Sequence, residues 1–423
     1  MAQDRRRPPE RTEDRISGLP DDLLHGILVD LGSVRAAART SVLSRRWRHV
    51  WTRIPNLVLF NRDDLPPPSS FQTSVDAALA AHSAPIIKDF QITVPTDGPR
   101  VPACRVEQWL RGVSQRVVGS LGVFVRWSME MSRVLTPVTK EEEEELEIPT
   151  CGGATRILLK LDERWRLRIP AAGLFAALTL LTMESARLEG SELTALVSTQ
   201  CPRLKTLFLA VTLCTVSDVS MRTESLEALF FHVTNTRCLE IVAPRLEQLN
   251  VSDVFIEANI SAPKLAKLNW RGIYDPCRHK FADVGRYLRL LNIYQTRTGA
   301  SLLHRFYTVD ELKLTISIEQ MNPCPQSCLC RLAKSSKIDD ITLGSLEEVE
   351  INNFTSSQEE LEFVEQLSRC NAAVLKKIVI CYTRWPRTPL TKEMCEKVRS
   401  MCRSNLKFEF YVTSDMFGWM PFD

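Results

Sequence analysis

The chain has 423 residues, 44% of them apolar, enough for a large core and for two or three structural units by length alone. A formal charge of +3 is close to balance and argues neither for a nucleic-acid footprint nor for a membrane-binding surface, so neither partner is expected. Nothing approaches eighteen consecutive apolar residues, and the charged, Pro-bearing start MAQDRRRPPERTEDR lacks a signal peptide's apolar stretch, so an intracellular protein with thirteen reduced cysteines is expected.

Residues 1–13 read as a disordered tail; Arg5 to Arg7 could serve nuclear import, but three basics beside two prolines fit such a tail better. Asp14 to Pro55 then compresses three short apolar-faced helices into a unit too small to bury its own hydrophobic surface. Leu19-Pro20 starts the first helix, where Pro costs no hydrogen bond, and Leu23, Leu24, Ile27, Leu28 and Leu31 form one broad face. Gly32 ends it, and Ser33 can cap an Ala-rich second helix closing at Val42-Leu43. Ser44 can cap a third that carries Trp47, Val50 and Trp51. Two Trp and six or more aliphatics cannot all face inward.

ISGLPDDLL (Ile16 to Leu24) and ARTSVLSRRWRHVW (Ala38 to Trp51) resemble the F-box, in the plant version that precedes leucine-rich repeats. The resemblance implies docking onto the Skp-type adaptor of a cullin–RING ubiquitin ligase, through Leu19, Pro20, Leu24, Ile27, Leu28, Leu31, Val42 and Trp47. Desolvated Trp and Leu anchors of this kind dominate interface energetics. From Arg15 to Arg53 seven Arg face three Asp, a local excess that suits the acidic adaptor the resemblance implies, although a solvated helix face explains any single Arg equally well.

Residues 56–75 read as a first strand, NLVLF, and a Pro-rich linker. Over 76–307 an LxxLxL pattern returns, most clearly from Leu204, Leu226, Leu246, Leu265 and Leu288, at intervals of 22, 20, 19 and 23 residues. These intervals are those of leucine-rich repeats, each motif marking a short strand. Weaker copies include Ile87-Phe90-Ile92, Val118-Leu121-Val123, Ile157-Leu159, Leu181-Met183, Leu312-Leu314, Val349-Ile351 and Ile378-Ile380, giving around a dozen strands. GSELTALVSTQ reads helical, whereas TNTRCLEIVA is too short for more than a turn or an extended arm, so an irregular convex side is expected. Repeat stacks need covers at both ends. The N-terminal helices are expected at one end, and Thr391 to Asn405, with Met394, Val398 and Met401 on one face, at the other.

Residues 308–423 resemble the FBD region found after leucine-rich repeats in plant F-box proteins, notably from Leu343 to Ile380, which reads strand, helix, strand. Thr355-Ser356-Ser357 stands where that family often carries Gly after the Phe, so a different turn is expected. The fold class expected is therefore α/β: an N-terminal three-helix F-box, an irregular leucine-rich-repeat solenoid with a curved, mainly parallel sheet, and an FBD-like strand-helix-strand part.

Catalytic chemistry finds no support. Cys324, Cys328 and Cys330 are spaced CxxxCxC without a matching Cys/His pair, so no metal and no cofactor is expected. The histidines at 25, 49, 82, 232, 279 and 304 lie outside any thiolate-orienting motif and read as surface or loop residues. The run Glu141 to Glu145 reads as a solvated, disordered loop. Walker, HExxH and GxSxG patterns are absent. The reading is a non-catalytic substrate receptor of an SCF-type ligase, binding a protein substrate with exposed strand positions drawn from Phe208, Phe230, Asn250, Asn269 and Trp270, some of which must face the core because the strand phase is open. A repeat scaffold without ubiquitin transfer is the alternative.

Overall fold

The computed structural model describes residues 18–59, 70–95, 100–125, 143–252, 256–275, 278–284, 287–296, 311–315, 345–369, 374–382, 390–402, 406–413 and 419–422. The N-terminal tail, most of the Pro-rich stretch and the three clustered cysteines lie outside these residues.

Helix α1 (Asp21–Asp30) begins where the Pro20 carbonyl accepts the Leu23 and Leu24 amides. It stops at Gly32, whose φ of 71° is the left-handed conformation that glycine adopts without a Cβ clash. Ser33 Oγ accepts the Ala36 amide at 3.0 Å and so caps α2 (Val34–Arg39), with a 3-10 turn over Thr40–Val42 behind it. Helix α3 (Trp47–Val50) has Arg46, not Ser44, at its N-cap and no side-chain cap. Arg46 works elsewhere: it donates to the Leu19 carbonyl and to Asp21, both at 2.6 Å, and ties the third helix to the start of the first.

Strand β1 (Asn56–Leu59) leads from these helices into one long parallel ladder. It pairs with β2 (Ile87–Val94), and the ladder continues through β3 (Val117–Val125), β5 (Arg156–Lys160), β7 (Leu180–Leu188), β8 (Thr206–Arg222), β9 (Ala228–Val242), β10 (Gln248–Val251) and β12 (Lys267–Tyr274). Then follow β14 (Leu290–Thr296), β15 (Glu311–Thr315), β16 (Glu348–Phe354), β17 (Lys377–Tyr382) and β18 (Lys407–Thr413), with a short antiparallel β19 (Trp419–Pro421) at the edge. The fourth and sixth positions of each LxxLxL point inward. Leu207 and Leu209, Leu229 and Phe231, Leu249 and Val251, and Leu291 and Ile293 are all buried in one continuous core.

The convex side departs from the irregular one expected. A second parallel ladder runs there through β4 (Glu144–Glu147), β6 (Trp165–Arg168), the ends of β7, β8 and β9, then β11 (Glu257–Ser261) and β13 (His279–Ala282). Strands β7, β8 and β9 each turn a corner from one ladder to the other, as register shifts after Glu184 and Thr212 record. Asn235 sits at the β9 corner with φ 65°, a conformation that Asn tolerates better than most residues, and its amide donates to the Leu213 carbonyl at 2.9 Å. Cys238–Val242, read as a turn or an extended arm, is extended and pairs as strand. So is most of the described acidic run: Glu144–Glu147 pairs with Trp165–Arg168, with Leu146 buried beneath it. On the neighbouring strands Arg166 and Arg168 pair with Glu145, and Arg187 with Glu143, balancing carboxylates that would otherwise repel one another.

Helices α4 (Phe71–Ala81), α5 (Ala103–Ser114) and α6 (Gly190–Ala195) supply further cover; α6 continues into a π-helical turn over Leu196–Gln200. In the C-terminal third, β16 and β17 flank α7 (Gln358–Arg369), the expected strand-helix-strand order. Ser356 takes φ 65° in the turn before α7, so it occupies a glycine-type conformation despite its side chain. Ser357 Oγ accepts the Glu360 amide while Glu360 accepts the Ser357 amide at 3.0 Å, a reciprocal capping box. Helix α8 (Lys392–Ser400) is capped by Thr391 and buries Cys395 and Val398, with Met394 and Met401 packed at the margin of the core.

Candidate partner-docking surfaces

Two uncovered faces and one self-paired face emerge from this framework. On α1 and its C-cap, positions 23, 27 and 31 fall within about 80° of one another at 100° per residue. Leu23, Ile27 and Leu31 are all exposed, and Pro20 joins them at the open end. Val42 (86% exposed) and Leu43 (65%) are further exposed aliphatics, at the turn after α2. Exposed aliphatics gathered on one helix face point to an interaction site.

Not every residue expected on that surface lies there. Leu24, Leu28 and Trp47 (3% exposed) are buried in the chain's own core, and Leu19 is half-buried against it. The face of α1 is broad enough to serve two purposes: its 24/28 edge packs inward, and its 23/27/31 edge stays outside. Leu23 and Leu43, visible in the apolar pattern but not expected as contacts, belong to the outer set. The outer residues that match expectation are Pro20, Ile27, Leu31 and Val42.

The second face is the open side of the first ladder. Its central file runs in register Leu158, Thr182, Phe208, Phe230, Asn250, Asn269, Asn292. The Phe208 and Phe230 rings lie 5.7 Å apart at 33°, forming an apolar step of two rings. The Asn269 amide donates to Asn250 Oδ1 at 2.6 Å, so the next step is an amide pair. Phe208, Phe230, Asn250 and Asn269 all occupy the fifth position of LxxLxL, between the inward fourth and sixth, and all are half-exposed. Trp270 is corrected: it is the sixth residue of its motif, is fully buried, and packs edge-on against Tyr274 and Phe281.

The outer face of the second ladder is charged but internally paired. Arg237 binds Asp218 through both nitrogens at 2.8 and 2.5 Å, Arg222 binds Glu240 at 2.7 Å, and Arg166 binds Glu189 at 2.8 Å. In the C-terminal sheet, Glu409 sits between Lys407 (2.8 Å) and Lys377 (3.0 Å), which hold its carboxyl down to about 2. Exposed pairs like these contribute little stability individually but leave little net charge to recruit a partner.

Cys151, Cys201, His82 and His279 are packed away, whereas Cys104, His49 and His232 are exposed. Burial pushes the Cys151 thiol up to about 11 and the Cys201 thiol up to about 12, away from the thiolate form that attacks. His82 and His279, expected at the surface or in loops, are buried; His82 holds the Ile54 carbonyl at 2.9 Å, and His279 Nδ1 accepts the Asp275 amide at 3.0 Å. Among the described residues no group of three or more His, Cys, Asp or Glu is placed to hold a metal ion, and no helix is long and apolar enough to cross a membrane.

A stack of parallel strands with inward leucines at fixed spacing, closed at its start by a small helical head, defines a leucine-rich-repeat solenoid. The chain belongs to the FBD-associated F-box proteins: the family described as FBD-associated F-box protein At5g56370, LRR repeats, matches residues 106–324, just over half of it. The chain is similar to the F-box/FBD/LRR-repeat protein At2g04230 of Arabidopsis thaliana, 29% identical over 62% of this chain and 54% of that one, so it spans about half the length of this relative. It is also similar to the FBD-associated F-box protein At5g50270 of the same plant, 25% identical over 87% of this chain and 96% of that one. The F-box protein At5g03100 is 38% identical over 23% of this chain and 28% of its own length.

Proposed function

We propose that the chain is a non-catalytic substrate-recognition subunit of an SCF-type ubiquitin ligase, working inside the cell. In this reading the head, residues 14–55, docks on a Skp-type adaptor and through it a cullin–RING ligase. The remaining proposed units are 56–75 as connection, 76–307 as repeats and 308–423 as FBD-like repeats and cap. The observation that carries the reading is the outer stripe of the head: Leu23, Ile27, Leu31, Val42 and Leu43 stay uncovered while their neighbours Leu24, Leu28 and Trp47 are sealed inside. Leu19 and Pro20 border that stripe, and the buried three hold the helices that present it.

The file from Phe208 to Asn269 is the proposed seat of a protein substrate. It offers apolar rings and amides where the outer face of the second ladder carries ion pairs such as Arg237–Asp218 and Arg222–Glu240. Holding a substrate lysine beside a ubiquitin-charged enzyme raises its effective concentration, so no residue here need do chemistry.

Co-purification of the full chain with a purified Skp-type adaptor tests the reading. Wild type is expected to co-elute, and Ile27→Asp to lose the adaptor while keeping its thermal midpoint. Absence of binding by wild type at micromolar concentration would leave a repeat scaffold without a ligase role as the better description.

A further inference from the structure

The head differs from the rest of the chain in the cation it uses. Residues 1–87 hold twelve arginines and no lysine, whereas fifteen lysines and twenty-seven arginines follow, the first lysine being Lys88. Charge alone does not account for this, because an ammonium and a guanidinium are both cations at neutral pH. What a guanidinium adds is a planar fork of donors, useful where two acceptors are held at once. Arg46 uses that fork on the Leu19 carbonyl and on Asp21. Arg39, Arg45, Arg48 and Arg53 do not: all four are exposed, and their side chains make no hydrogen bond or ion pair among the described residues. At comparable exposed positions later in the chain lysine is used, as at Lys88, Lys264, Lys267 and Lys280.

The two cations differ in one further respect. A lysine amine can shed its proton and accept ubiquitin, while an arginine keeps its proton and cannot. In that transfer the neutral Nζ attacks the thioester between the ubiquitin C-terminus and a conjugating enzyme's cysteine. A C–N isopeptide bond forms, the C–S bond breaks, and the amine's proton goes to the departing thiolate. The position of an acceptor on the head would matter. Arg39 lies three residues before the exposed Val42, and Arg45 two residues after the exposed Leu43. A folded protein tethered at either point would compete with any partner for the apolar surface.

From this we infer that the head is kept free of ubiquitin acceptors, so that modification of the receptor itself is confined to Lys88 and the lysines after it, and the docking surface stays open. The inference rests on the receptor reading given above. Any amine held near a charged conjugating enzyme gains effective concentration, and the receptor is held there whenever a substrate is. Lys88 stands at the border: its amide donates to the carbonyl of Pro55, the last residue of the head, at 2.8 Å, and its side chain is exposed.

The test combines Arg39→Lys, Arg45→Lys, Arg48→Lys and Arg53→Lys in the full chain. The variant is followed in a reaction of Skp-type adaptor, cullin–RING ligase, activating and conjugating enzymes, ubiquitin and ATP. Before the reaction it is expected to keep its thermal midpoint and to bind the adaptor within about threefold of wild type, because an exchange of one exposed cation for another changes little. Afterwards, peptide mass spectrometry is expected to find ubiquitin on the introduced lysines, and the molecules so modified to bind the adaptor at least about tenfold more weakly. The matching Arg39→Gln, Arg45→Gln, Arg48→Gln and Arg53→Gln combination offers no amine, and the reaction is expected to leave its adaptor binding where it was. Adaptor binding by the unreacted lysine variant weakened beyond about threefold would overturn the inference, since the guanidiniums would then be docking contacts. So would introduced lysines that stay unmodified, or that are modified without loss of the adaptor. Failure of wild type itself to bind the adaptor would overturn the receptor reading, and this inference with it.

Discussion

His82 Nε2 donates to the Ile54 carbonyl across 2.9 Å, and this bond joins the end of the helical head to the end of α4 in the first repeat. The Ser83 amide donates to the Thr52 carbonyl at 2.8 Å beside it, and Arg116 reaches the His82 and Ala84 carbonyls from beyond α5. Head and solenoid thus share backbone hydrogen bonds and one core.

This joint is expected to be pH-sensitive. Burial, with Arg116 adding to it, holds the His82 imidazole below its ordinary value of 6.5 despite the Ile54 carbonyl. With the folded value depressed, the unfolded chain takes up the proton first, so stability is retained above 6.5 and lost as pH falls through the lower folded value. Denaturant midpoints measured from about pH 7.5 down to about pH 5 should fall, and His82→Gln should flatten that slope.

The head should separate folding from docking by residue. Trp47→Ala removes a buried ring and is expected to cost about 3–5 kcal/mol, read as a shifted denaturation midpoint. Val42→Asp replaces an exposed side chain and should leave the midpoint within about 0.5 kcal/mol while abolishing adaptor binding.

The turn before α7 offers a stabilising substitution. Ser356→Gly relieves the left-handed φ and removes a buried hydroxyl that has no partner among the described residues. A gain of up to about 1 kcal/mol is expected after the greater freedom of glycine in the unfolded chain is subtracted. Ser356→Val should lower stability, and thermal melts of the two variants check both signs.

On the open face, Phe208→Ala with Phe230→Ala removes the two-ring step without touching the inward file. The double variant is expected to keep its melting temperature and its adaptor, and to lose the proteins that wild type captures under proteasome inhibition, measured by quantitative mass spectrometry.

Much of this was legible from periodicity, because inward leucines repeat at an interval that admits one strand per turn of the solenoid. The motif also carries its own phase. Leu265 and Leu268 point inward, so the sixth residue, Trp270, must as well, and the fifth, Asn269, must not. Phe208 and Phe230 occupy that fifth position too, and they lie outside for the same reason. The second ladder was harder to read, since Cys238–Val242 and Glu144–Glu147 are too short to announce a strand until a neighbour pairs with them. On α1, sequence could mark the whole apolar face but not its division. Whether Leu28 or Ile27 faces water depends on how the helices and the first repeats pack together, information that no local spacing holds.

Amide hydrogen exchange of the full chain with and without a Skp-type adaptor measures the central claim where it is made. Exchange should slow on adaptor binding across residues 20–43, the outer stripe and its flanks, and stay unchanged over residues 204–293 of the repeats. Protection confined to the repeats, or none in the head at saturating adaptor, would contradict the account.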